Sequence, residues 1–166
     1  MTNNKIRSYD QHFMARCIEL AKCSYEGGDA PFGSLVAKGD KLVAEGGNDS
    51  MNRLSEHAEV IALNNAAKAI GSQDLRGLTL YTSCEPCPMC SFMIREYKIS
   101  RVVYALHSPF MGGHTKWNVL EEEGLEQFPP FFAEAPEVLG GFMEAESKVV
   151  MDETPFWMFG PNPEKR

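Results

Sequence analysis

Two short strings constrain this chain more than anything else in it: His57-Ala58-Glu59 and Pro86-Cys87-Pro88-Met89-Cys90. Each falls where a loop or strand gives way to a helical pattern, and a strand pattern lies between them. Cys87 and Cys90 are one helical turn apart, so their sulfurs face the same way. Cys87 opens its helix, where the dipole favours the thiolate. A histidine and two thiolates are three ligands suited to zinc, and a water in the fourth position completes the open tetrahedral arrangement of a catalytic site. Glu59, at the helix start beside the histidine, has the chemistry to take a proton from a metal-activated water and pass it on. Each residue alone has a plainer reading, as a cap histidine, a redox C-x-x-C or a solvated glutamate. The two motifs together, each opening a helix, read as one metal centre.

The flanking pattern predicts how the motifs are carried. Phe13, Met14, Cys17, Ile18 and Ala21 form a helical stripe, with Asp10 as its cap and Gly27-Gly28 as its stop. Ser34 to Lys38 and Lys41 to Glu45 read as a hairpin across Gly39-Asp40. A helix follows from about Glu56 to Ile70, capped by Ser55, then a strand from Leu78 to Ser83. Pro88 to Tyr97 reads as a helix and Arg101 to Leu106 as a strand. The order α-β-β-α-β-α-β is that of an α/β sandwich around a mixed sheet. Beyond Leu106 the pattern thins to a short helix over Val119 to Phe128, a fifth strand at Val138-Leu139 and a last helix from Glu144 to Met151.

The 166 residues suit a single domain, 1–166, with a divergent C-terminal segment from about residue 107. The formal net charge of −7 is localised: residues 121–166 carry 11 acidic and 3 basic side chains, while residues 1–120 are near neutral. An acidic surface repels phosphate backbones, which counts against a nucleic-acid partner. The polar start and the lack of a long apolar run point to a cytoplasmic chain with no membrane segment. Five cysteines, an odd number, argue against a disulfide framework. Cys84 continues the even spacing of Cys87 and Cys90, so a three-cysteine site is an alternative. Its place at a strand end, before Pro86, reads instead as a core thiol or a support for the ligands, and Cys17 and Cys23 read as buried helix residues.

H-x-E followed by P-C-x-x-C is the general signature of zinc-dependent nucleobase deaminases. From about Ala30 to Leu106 the chain resembles the cytidine deaminase-like superfamily, in its branch of guanine deaminases, tRNA adenosine deaminases and fungal-type cytosine deaminases. The resemblance is carried by Ala30-Pro31-Phe32-Gly33, Glu45-Gly46-Gly47-Asn48, His57-Ala58-Glu59-Val60 and the run from Leu80 to Cys90. It implies a three-layer α-β-α sandwich with a five-stranded mixed sheet, Zn2+ held by His57, Cys87 and Cys90, Glu59 as the catalytic proton shuttle, and a homodimer. It also implies a substrate contact for Asn48, which by itself reads as a turn residue. The N–H of Ala58 is a further candidate donor to the substrate.

The string Ser83-Cys84-Glu85-Pro86-Cys87 resembles guanine deaminases more than the tRNA enzymes, which usually have Leu where Cys84 stands. The expected activity is therefore hydrolytic release of ammonia from a small molecule: a free nucleobase, nucleoside or similar amino-heterocycle, guanine-like first. The alternatives are a tRNA adenosine deaminase or a cytosine/isocytosine-type enzyme. Ser108 to Asn118 does not match the short acidic loop of guanine deaminases. Trp117, Phe156 and Trp157 are candidates for an aromatic lid over a planar substrate, or equally for core or dimer-interface aromatics.

Overall fold

The structure, a computed structural model, describes residues 5–155. The elements are α1 (Asp10–Glu26), β1 (Gly33–Lys38), β2 (Lys41–Gly47), α2 (Ala58–Ile70), β3 (Thr79–Cys84), α3 (Pro88–Glu96), β4 (Arg101–Leu106), β5 (Glu137–Gly140) and α4 (Glu144–Asp152). The strands form one mixed sheet in the order β2-β1-β3-β4-β5. β1 runs antiparallel to both β2 and β3, whereas β3, β4 and β5 are parallel. Lys38 pairs with Lys41 across a two-residue turn, which Gly39 allows by taking a φ of +60°.

Strand periodicity sorts the core into two layers. Leu35, Ala37, Tyr81, Val103 and Ala105 point to one face, where Phe13, Met14 and Cys17 of α1 cover them. Val36, Leu80, Val102 and Tyr104 point to the other, under Ala62, Leu63 and Ala66 of α2 and Ile94 of α3. β3 and β4 are buried along their whole length, as parallel strands covered on both faces must be. The expected three-layer sandwich is thus present, with α1 on one side of the sheet and α2 and α3 on the other.

Four local expectations need correction. Asp10 is the first helical residue of α1 rather than its cap, which is Tyr9. Helix α2 starts at Ala58 with His57 in the cap position, not at Glu56 with Ser55 as cap. The segment expected as a short helix over Val119 to Phe128 contains only a 3-10 turn, Glu123–Gln127. Cys23 is exposed while Cys17 is buried, because Cys23 falls off the stripe that faces the sheet.

Asp10 is fully buried because it pairs with Arg101, itself 2% exposed, through contacts of 2.8 Å from both terminal guanidinium nitrogens. The Tyr81 hydroxyl donates to the same carboxylate at 2.6 Å, tying α1 to β3 and β4. These partners hold the Asp10 carboxyl below the usual range against the burial that would raise it. Asp10→Ala leaves Arg101 without its two short carboxylate contacts, with only longer ones to Glu137 at 3.3 Å, the Lys5 carbonyl at 3.3 Å and the Tyr81 hydroxyl at 3.4 Å. The expected cost is about 3–5 kcal/mol, seen as a melting temperature lower by roughly 10 °C in a thermal unfolding scan.

Candidate metal centre and substrate pocket

The site lies beyond the C-terminal ends of β3 and β4, where ligands of open α/β sheets bind. His57 and Cys87 occupy the N-cap positions of α2 and α3, and Pro88 follows at the first turn of α3, where its missing N–H costs nothing. Both helices therefore aim their positive ends at one point. The His57 Nδ1 lies 3.6 Å from the Cys87 Sγ and 3.5 Å from the Cys90 Sγ. A tetrahedral zinc with ordinary Zn–S and Zn–N bonds separates sulfur and nitrogen ligands by about 3.6 Å. The three donor atoms lie within 4.8 Å of one another, and among the described residues this is the one group that meets the requirement for a metal. The donor set fits zinc in spacing and in kind.

The electrostatics agree. The Cys87 thiol is pulled down to about 4, chiefly by the hydrogen bond from Cys90, with a further contribution from His57, so it stands ready as a thiolate. His57 is raised by its bond to that sulfur. Cys84 is buried and burial keeps its thiol neutral; it lines the pocket without joining the ligand group. That separates it from the three-cysteine alternative.

Glu59 is 6% exposed and borders the pocket with His57, Cys87, Cys84, Phe32, Glu85, Ser108 and Met111. Burial, reinforced by the Cys87 charge, pushes its carboxyl up to about 7. Its folded value thus exceeds its ordinary 4.5, so the stability it contributes is present at low pH and is lost as pH rises toward 7. In chelated protein, the difference in melting temperature between the parent and Glu59→Gln should therefore shift against the parent between pH 5 and 7. A pH-independent difference in paired thermal scans would show that Glu59 does not titrate there.

Asn48 lies at the start of α2, next to the pocket-lining residues. Its Oδ1 accepts the Ala58 N–H at 3.1 Å, and its Nδ2 donates to the Asp29 carboxylate at 2.8 Å and the Ser50 hydroxyl at 2.7 Å. The Ala58 N–H, a candidate substrate donor, is thereby already engaged, and Asn48 acts as a cap at the start of α2. Asp29 anchors this arrangement by also accepting the N–H of Ala30 and Met51. Its role escaped the sequence, where only its neighbourhood to Ala30-Pro31-Phe32-Gly33 marked it.

An open shelf adjoins the pocket, lined by His57, Cys87, Pro88, Met89, Met111, Trp117 and Val119. Trp117 is half exposed there, with the Lys116 amine 5.2 Å above its ring. Phe156 and Trp157 lie outside the described residues. No acidic residue of 121–155 lines either space, so the described part of the charged segment does not furnish the pocket wall. Beyond β4 the lining residues are Ser108, Met111, Trp117 and Val119.

A zinc site with three protein ligands and a buried carboxylate on the wall of the same pocket defines a metal-dependent hydrolase centre of the deaminase type. The chain belongs to the cytidine and deoxycytidylate deaminase family, whose zinc-binding region matches residues 7–106. It is 32% identical over 140 residues to the tRNA-specific adenosine deaminase of Bacillus subtilis, covering 82% of this chain and 83% of that one. It is 40% identical over 96 residues to the guanine deaminase of the same organism, covering 56% of this chain and 62% of that one. A solved structure from work on A-to-I editing by tRNA:A34 deaminases superposes with a TM-score of 0.73 at 28% identity, over 84% of this chain and 99% of that one. None of the helices described is long and apolar enough to cross a membrane.

Proposed function

We propose that the chain hydrolyses the exocyclic amine of a nucleobase ring, with adenosine in tRNA as the first substrate reading. The observation that carries the hydrolysis is the convergence of His57, Cys87 and Cys90 beside the buried Glu59. The tRNA reading is supported by relatives named tRNA-specific adenosine deaminases that align with most of this chain, whereas the guanine deaminase likeness spans little more than half. It reverses the order in which the motif string ranks the two.

His57, Cys87 and Cys90 would hold the zinc, which when bound supplies an activated water at neutral pH. Glu59 takes the proton at its carboxylate, passes it to the ring nitrogen and assists departure of ammonia. Its raised pKa suits a group that must both accept and donate near neutrality. Asn48 is positioned to fix the backbone of His57, and to meet substrate it would exchange its Ser50 contact for a ring atom. Trp117 offers the shelf a stacking surface.

A second reading, a free base of guanine type, is favoured by one feature: the run Glu121, Glu122, Glu123 and Glu126 immediately beyond the shelf residue Val119, which opposes a phosphate backbone. The experiment is ammonia release by zinc-loaded protein from tRNA transcripts, guanine, adenine, cytosine and isocytosine. Inosine in tRNA supports the first reading, release from a free base the second, and no release from any of them overturns both. We also expect a homodimer, for which exposed Phe92 and Phe131 supply apolar surface; sedimentation at micromolar concentration decides it.

A further inference from the structure

Glu85 stands inside the cysteine motif yet is neither a zinc ligand nor the proton shuttle. It is 3% exposed, and both its oxygens are occupied by the segment that follows β4. Oε1 accepts the N–H of His114 at 3.1 Å, the N–H of Thr115 at 2.7 Å and the Thr115 hydroxyl at 2.9 Å. Oε2 accepts the Ser108 N–H at 2.9 Å and shares the Thr115 hydroxyl at 3.0 Å. Gly112 and Gly113 allow the approach: a methyl group at Gly112 would overlap the Glu85 carboxylate, and one at Gly113 would overlap the Ser91 hydroxyl. The Gly113 N–H also donates to the Pro86 carbonyl at 2.8 Å. The loop is stapled onto the chain that presents Cys87.

The staple fixes what the pocket offers a ring. Ser108 and Met111 line it together with His57 and Glu59. The Ser108 Oγ accepts the Met111 N–H at 3.3 Å, and its own hydrogen has no acceptor among the described residues, so it is available to donate into the pocket. Glu85 lines the same space, but with its oxygens filled by loop donors it does not serve as an acceptor for a second amino group.

We propose that Ser108 and Met111 are the residues by which this pocket discriminates among rings, and that Glu85 is the positioning residue that holds them there. The substrate class is a planar amino-heterocycle with a ring nitrogen or carbonyl oxygen at the edge that meets Ser108, and an apolar face against Met111. The inference rests on the deaminase reading and deepens it.

The test uses zinc-loaded protein and the variants Ser108→Ala, Glu85→Gln and Thr115→Val. Ser108→Ala should raise KM roughly three- to tenfold, the loss of about one hydrogen bond, with kcat within about twofold. Glu85→Gln should raise KM in the same direction and change the ratio of kcat/KM between rings, with zinc content unchanged. Thr115→Val should show a smaller effect of the same sign, and serves if Glu85→Gln does not fold. Hydrogen exchange reads the staple separately: in Glu85→Gln the amides of Ser108, His114 and Thr115 should exchange faster while those of α3 do not. Unchanged KM in Ser108→Ala, or unchanged exchange and ring preference in Glu85→Gln, overturns the proposal. If the parent releases no ammonia, the deaminase reading fails and the discrimination proposal with it, while the exchange experiment still decides whether Glu85 staples the loop.

Discussion

Glu59→Gln should yield a folded, zinc-loaded protein whose turnover is lower by at least about 10²–10⁴, the range a general acid–base group contributes. The substitution keeps the size of the side chain and removes its ability to accept a proton. Glu59 lies outside the three-donor group, so the metal should stay. Its burial beside Cys87 makes it the group on the pocket wall that can carry a proton near neutral pH. Zinc stoichiometry by elemental analysis and ammonia release by a coupled assay check the two halves. Retained turnover would remove Glu59 from the mechanism, and lost zinc would make it a ligand.

Cys90→Ala should abolish zinc binding along with activity. Cys90 is fully buried and lies 3.5 Å from the His57 Nδ1, so its loss removes one of the three donors of the group. Affinity should fall by more than the roughly 10–100-fold that loss of a mere support to a ligand costs. Because the site forms only when α2 and α3 are both in place, metal binding also stabilises the fold. The variant should therefore melt at the temperature of chelated parent protein, and added zinc should raise the parent but not the variant. A zinc-dependent shift in the variant would show that His57 and Cys87 suffice, or that Cys84 substitutes.

The layers of the fold were legible because burial imposes simple periods. The β3 and β4 segments are short stretches rich in β-branched and aromatic residues that are buried throughout, and α1 shows a stripe that repeats every turn, so each announces its type locally. The ligands were legible for a related reason: His57, Cys87 and Cys90 serve one ion, and their chemistry leaves little choice of residue. The partners of Asn48 were not legible. The resemblance implies a substrate contact for it, and the carboxamide also lies among Asp29, Ser50 and the Ala58 N–H, a set of partners that no local pattern in the chain announces. The crossover from β4 to β5 was equally opaque, since its conformation answers to Glu85, Pro86 and Arg95 rather than to its own propensities. Arg95 alone donates to the carbonyls of Val119, Leu120 and Glu122 through one guanidinium nitrogen.

The sequence by itself marked the zinc-type donor group of His57, Cys87 and Cys90, the carboxylate Glu59 proposed as proton carrier and the α/β layering, because each follows from residue chemistry or from a period of two or 3.6 along the chain. Tertiary structure alone decided what lines the pocket opposite the donor group. The roles of Glu85, Ser108 and Met111 depend on a loop brought back more than a strand and a helix later, and long-range hydrogen bonds to a buried carboxylate leave no periodic trace in the chain that makes them.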